Sequence, residues 1–221
     1  MTKKKKIVLG IVIGTVATLA LAVLIPFAIL GIRTAAMDKD YSYLKDNHTY
    51  NSHAQVSGVE LVEQHISCGY ATIEMMSGYY GKKITEDELS EKNHGAITTS
   101  TSAGFLNELN KSIDDHKFIK HSYLDNDVLL KEINLALRSG YPVALEWAAK
   151  YKDEWTLHFS LITTLNIAAD YIIIYNPYGY TETISIDEFI SRSSFKAYKN
   201  MPLFLYFGFA FGAFEKNTIF Y

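Results

Sequence analysis

The sequence has a single cysteine, Cys68, among 221 residues. A disulfide framework or a cysteine-rich zinc finger needs several thiols, so both are excluded. With four prolines and thirteen glycines, the chain is neither collagen-like nor proline-rich. Charged residues make up only 20%, against 48% in the apolar-plus-tyrosine set, which is too apolar for an intrinsically disordered chain. A basic surplus is also missing: 21 Lys and Arg face 24 Asp and Glu, and a net charge of −3 argues against a nucleic-acid partner. No HExxH and no close histidine pair at ligand spacing occurs, so neither a metal nor another cofactor is expected. The length fits one domain, or at most two small ones.

The small net charge averages two unlike parts. Residues 1–33 contain Lys3, Lys4, Lys5, Lys6 and Arg33 and no acid, while residues 34–221 hold 16 basic against 24 acidic residues, a net −8. Between Lys6 and Arg33 runs an uncharged stretch of 26 residues, Ile7 to Ile32. A helix rises about 1.5 Å per residue, so roughly 20 residues cross the hydrocarbon core of a bilayer. A signal peptide usually has a shorter apolar region of about 7–15 residues and a small-residue cleavage site. Here the nearest small residues follow Arg33, a poor cleavage signal. Residues 1–33 are therefore read as a cytoplasmic basic tip and an uncleaved transmembrane signal-anchor, ahead of a cleaved signal or a buried soluble helix. By the positive-inside rule the lysines stay cytoplasmic and the acidic remainder lies outside the membrane.

Residues 34–58 are polar without periodicity and are expected to form a stalk, with one folded domain over 59–221. Helices are predicted over 68–80, 86–92, 102–113 and 127–138, the second opened by a Thr85/Glu88 capping box. The pattern then turns to strands: Tyr141–Trp147, Leu157–Leu165, Tyr171–Tyr175 and, after the turn signal Asn176-Pro177-Tyr178-Gly179, Glu182–Ser185. A short helix is expected over Asp187–Ser191. The aromatic stretch Met201–Phe214 is too short to span a membrane, and its periodicity does not decide between helix and strand. Helices first and strands second point to an α+β fold.

Cys68 stands where the irregular segment Glu-Gln-His-Ile-Ser meets the first residue of a helix. Taken alone, a lone cysteine is most simply a buried, inert side chain. However, an isolated thiol outside the membrane risks oxidation, and the positive end of a helix lowers a thiol pKa and so favours the nucleophilic thiolate. A base is needed. Of the seven histidines, 48, 53, 94, 116 and 121 lie in polar surroundings, and His65 is too close along the chain to have the right geometry. His158 heads the apolar run HFSLITTL, where its ring needs a partner. Asn176 lies 18 residues on, at the end of the next strand, where it either starts a turn or orients the imidazole. Gln64, four residues before Cys68, is a candidate oxyanion donor together with the backbone N–H of the cysteine.

Together, EQHISCGYATIEMMSGYYGKKITEDEL and SGYPVALEW with HFSLITTLNIAADYIIIYNPYG resemble the two halves of papain-like bacterial cysteine peptidases, in particular the bacteriocin-processing (double-glycine leader) peptidases and their stand-alone relatives. The likeness covers roughly residues 59–195. It implies a papain-like fold, with Cys68 as nucleophile, His158 as general base, Asn176 as orienting residue and Gln64 as oxyanion donor. The chain departs from the family twice: the glutamine there usually stands five to seven residues before the cysteine, against four here, and the segment after Asn176 is less familiar, the aromatic tail from Met201 having no clear counterpart. Under this reading Cys68 attacks a peptide carbonyl of a peptide or protein substrate, a thioester forms, and water releases it. The rival readings are an inactive peptidase-fold interaction domain and a thiol-dependent acyltransferase or amidase.

Overall fold

The structure is a computed structural model that describes residues 3–221, with side chains from residue 11 onward. The lysine cluster at the N-terminal tip therefore has no described side chains. The N-terminal helix α1 (Lys3–Ala36) holds Pro26 inside it, and its Ile11–Ala36 portion is apolar and long enough to cross a membrane. Its side chains are exposed over almost the whole described length, so it buries nothing comparable to a core helix.

Four helices follow on the way to the sheet: α2 (Cys68–Tyr79), α3 (Glu86–Lys92), α4 (Ser102–Ser112) and α5 (Asn126–Arg138). Each of the first three is started by a hydroxyl cap, Ser67, Thr85 and Thr101, and Thr85 forms the full capping box with Glu88. These starts are short-range chemistry, which is why the sequence reading places them to within a residue.

The sheet is built from β1 (Ala54–Gln55), β2 (Lys120–His121), β3 (Val143–Tyr151), β4 (Glu154–Asn166), β5 (Tyr171–Asn176), β6 (Tyr180–Ile184) and β7 (Thr218–Phe220). Its order is β2-β7-β3-β4-β5-β6, with β1 paired to β4, and every pairing is antiparallel. The fold is thus α+β, as expected. Two short helices complete it, α6 (Ile186–Ser193) and α7 (Leu203–Ala210).

Side chains alternate across β3, so the sheet buries both faces. Val143, Leu145, Trp147 and Ala149 face a core shared with α5 and α6 (Leu129, Ile133, Phe189), whereas Ala144 faces one shared with α2 and α4 (Tyr70, Ile73, Phe105, Leu109). One region differs from expectation. The segment after α1, expected as a stalk, is packed: Met37, Leu44, Ala54 and Val56 are buried, and β1 adds to the sheet. The end of the chain returns as β7 between β2 and β3, so the tail completes the sheet.

Candidate active site

Cys68 is the first residue of α2, half-buried, and its sulfur faces the backbone N–H groups of Gly69 and of Phe159 on β4. The chain entering the helix is fixed by Glu86, a buried carboxylate at the start of α3. It accepts from three successive backbone N–H groups, those of His65 (3.0 Å), Ile66 (3.0 Å) and Ser67 (2.8 Å). Gly69 is needed beside Cys68 because a Cβ there would lie 2.3 Å from the Thr99 hydroxyl. Cys68, Thr99, Leu157 and Phe159 line a mostly apolar cavity of about 350 Å³, closed on another side by Phe204, Leu205 and Phe214.

One residue along β4 from Phe159 is His158, fully enclosed. Its Nε2 lies 2.9 Å from Asn176 Oδ1. The direction of that bond is fixed by Asn176's other contacts. Its Nδ2 donates to Glu182 Oε1 at 2.6 Å, and its Oδ1 accepts the Tyr178 N–H at 3.0 Å. The amide oxygen therefore faces the imidazole, Nε2 is the donor, and in the neutral ring Nδ1 is a bare acceptor. The Tyr178 ring stacks on the imidazole at 4.2 Å, and its hydroxyl is held by Thr156 at 2.9 Å. Glu182 is held in turn by Arg192 (2.5 and 3.2 Å), whose guanidinium lies over Trp147 at 3.7 Å.

Burial sets the protonation of the pair. Loss of water around His158 pushes its imidazole down to about 3, only partly opposed by the Asn176 bond. Burial likewise pushes the Cys68 thiol up to about 11, although the N–H groups of Phe159 and Gly69 pull the other way. The helix start was expected to lower the thiol pKa; here desolvation outweighs it. Burial therefore favours the neutral form of both groups.

Gln64 is joined to the same turn through its backbone, Gln64 N–H to Pro177 O at 2.7 Å, and its Oε1 is buried without a partner. His65 points elsewhere, between Glu86 (3.2 Å) and Asp87 (3.0 Å). The structure thus brings His158, Asn176 and the Gln64 backbone to one turn and sets Cys68 against the neighbouring residue of β4. Sequence reasoning missed Glu86, Tyr178, Glu182 and Arg192. The one available signal was Glu182, an acid in the strand that returns from the Asn-Pro turn. Among the described residues no cluster of His, Cys, Asp and Glu suits a metal ion.

A family model described as the Peptidase_C39 like family matches residues 42–202. Among solved structures, a double-glycine motif protease from an AMS/PCAT transporter, in complex with the leader peptide, is similar at 15% identity and a TM-score of 0.46, over 63% of this chain and 87% of that one. No curated protein matches the chain.

Proposed function

The chain belongs to the peptidase C39-like family, and from that membership we propose that this cysteine peptidase, its domain held outside the membrane by α1, works through Cys68, His158 and Asn176 on a peptide or protein substrate. The observation that carries the reading is the contact of His158 Nε2 with the Asn176 amide oxygen, from which the tautomer is assigned. With Nε2–H committed to Asn176, Nδ1 is the nitrogen left to take the thiol proton. Burial favours both neutral forms, so the proton moves to Nδ1 as the sulfur attacks the substrate carbonyl, and the ring becomes an imidazolium held by Asn176. That imidazolium protonates the leaving amine. A thioester to Cys68 remains, and water, deprotonated by Nδ1, releases the acid.

The carbonyl oxygen gains charge during attack. Donors for it are the backbone N–H of Cys68, which no helical turn satisfies, and the Gln64 amide, whose oxygen is paired to nothing else and whose NH2 can turn to an oxyanion. Anchoring follows from α1, with the lysines on the cytoplasmic side and the peptidase domain on the other.

A peptidyl epoxide tests the triad without a known substrate. The full chain is expected to be labelled on Cys68, and Cys68→Ala to abolish both the label and peptide hydrolysis, a loss of roughly ten-thousandfold or more. His158→Ala and Asn176→Ala should slow epoxide labelling strongly while a small alkylating agent still reaches the thiol. Labelling at one rate in wild type and His158→Ala would refute the triad.

A further inference from the structure

Helix α7 is apolar on every side, Leu-Phe-Leu-Tyr-Phe-Gly-Phe-Ala. One face is accounted for: Leu205 and Phe209 are 3% and 2% exposed and pack with Phe195 and Ala148, while Gly208 admits the Phe214 ring where a Cβ would lie 2.3 Å from it. The opposite face is not. Leu203 (69%), Phe204 (66%), Phe207 (39%) and Phe211 (58%) are exposed, and at 100° per residue they share one stripe. A surface helix is normally polar on that side, and a contiguous apolar patch marks a partner.

The partner is indicated by what α7 touches. Phe207 meets Phe27 of α1 edge-to-face at 5.2 Å, and Leu30 of α1 joins the cluster under α7. The apolar run of α1 continues past Phe27 to Ile32 before Arg33. At about 1.5 Å per residue, Phe27 lies roughly 9 Å inside the first charge, within the approximately 5–10 Å to which interfacial helices bury their apolar face. Both elements also lie outside residues 42–202, so neither belongs to the part of the chain matched to the family.

We infer that α7 is a second membrane contact: an interfacial helix that lies in the outer boundary of the bilayer beside α1, with Leu203, Phe204, Phe207 and Phe211 against lipid. Because Phe204 and Leu205 also line the cavity at Cys68, the contact sets the mouth of the catalytic cleft at the membrane surface. The inference rests on α1 spanning the bilayer.

The test uses the full chain in phosphatidylcholine vesicles whose acyl chains carry bromine either near the ester or near mid-chain. Leu19→Trp reports α1, and Phe204→Trp and Phe211→Trp report α7 at two exposed positions, so that a folding defect in one leaves the other. The native background is Trp147 and Trp155. Tryptophan at 204 and 211 is expected to lose the larger part of its emission to shallow bromines and to resist acrylamide, while tryptophan at 19 is quenched by deep bromines. If position 19 responds but 204 and 211 respond only to acrylamide, the α7 contact is overturned and the anchor stands. If 204 and 211 are shielded from both quenchers, a second copy or another protein covers the face and the inference also fails. If position 19 is not quenched, the anchor fails and the inference with it.

Discussion

The two ends of the cleft at Cys68 depart from the ordinary placement of residues in opposite ways. On the β4–β5 side, polar groups are buried: His158, Asn176 and Arg192 are enclosed, and each is hydrogen-bonded. On the α1–α7 side, large apolar groups are exposed. Both departures are informative because most residues obey the rule. A buried polar group costs free energy unless its bonds are made, so a chain of them that is satisfied link by link marks a place where orientation matters more than stability. An exposed apolar stripe gains nothing in water and marks a surface meant for another phase. The cleft lies between the two, with Cys68 and Phe159 on one wall and Phe204 and Leu205 on the other.

The largest effect tests the buried side. His158 is held neutral in the folded protein, down to about 3, whereas an unfolded histidine titrates near 6.5. The stability this contributes is fully present above about pH 6.5 and is lost as pH falls toward 3, because only the unfolded chain takes up the proton. Denaturant unfolding at pH 6.5 and pH 4 should differ by roughly 3 kcal/mol from this group, and His158→Asn should remove that part of the slope. An unchanged slope would mean that His158 is not shut away from water, and the contrast with the exposed side would weaken.

A smaller effect sharpens the same side. Glu182 holds the Asn176 amide and is held by Arg192. Glu182→Ala should leave Cys68 and His158 in place but release the amide, lowering kcat on the order of tenfold, about 1.4 kcal/mol, with KM little changed. Glu182→Gln keeps an acceptor for Asn176 and should recover much of that loss. If both variants fail equally, the pair with Arg192 is structural and the line of positioning ends at Asn176.

Much of this was legible in the sequence, and the boundary is physical. Ser67, Thr85 and Thr101 mark helix starts because capping acts over three residues. Cys68, His158 and Asn176 were singled out because a helix start, a polar ring in an apolar strand and an Asn-Pro turn are local signals that together resemble a family pattern; alone, each was weak. Leu44, Ala54 and Val56 were not, because they are single apolar residues in a polar stretch, buried only by the distant β4 and α5. Glu86 was visible only as a residue of the α3 first turn; that it also binds the backbone before Cys68 depends on how α3 packs. The thiol was misjudged for the same reason, since the helix dipole is local and the desolvation that outweighs it is tertiary.

The smallest expected effect belongs to the exposed side. The Phe211 ring contributes little to folding, since it is largely exposed and stacks only on the half-exposed Phe207. Phe211→Ser should therefore change the unfolding free energy by no more than about 0.5 kcal/mol. A much larger loss would mean that the ring is buried by something else during folding, and that the apolar stripe is an unfinished core. A negligible loss makes the stripe a feature that folding does not require, and the reason for keeping four large apolar side chains on one face then lies in what they meet after the chain has folded.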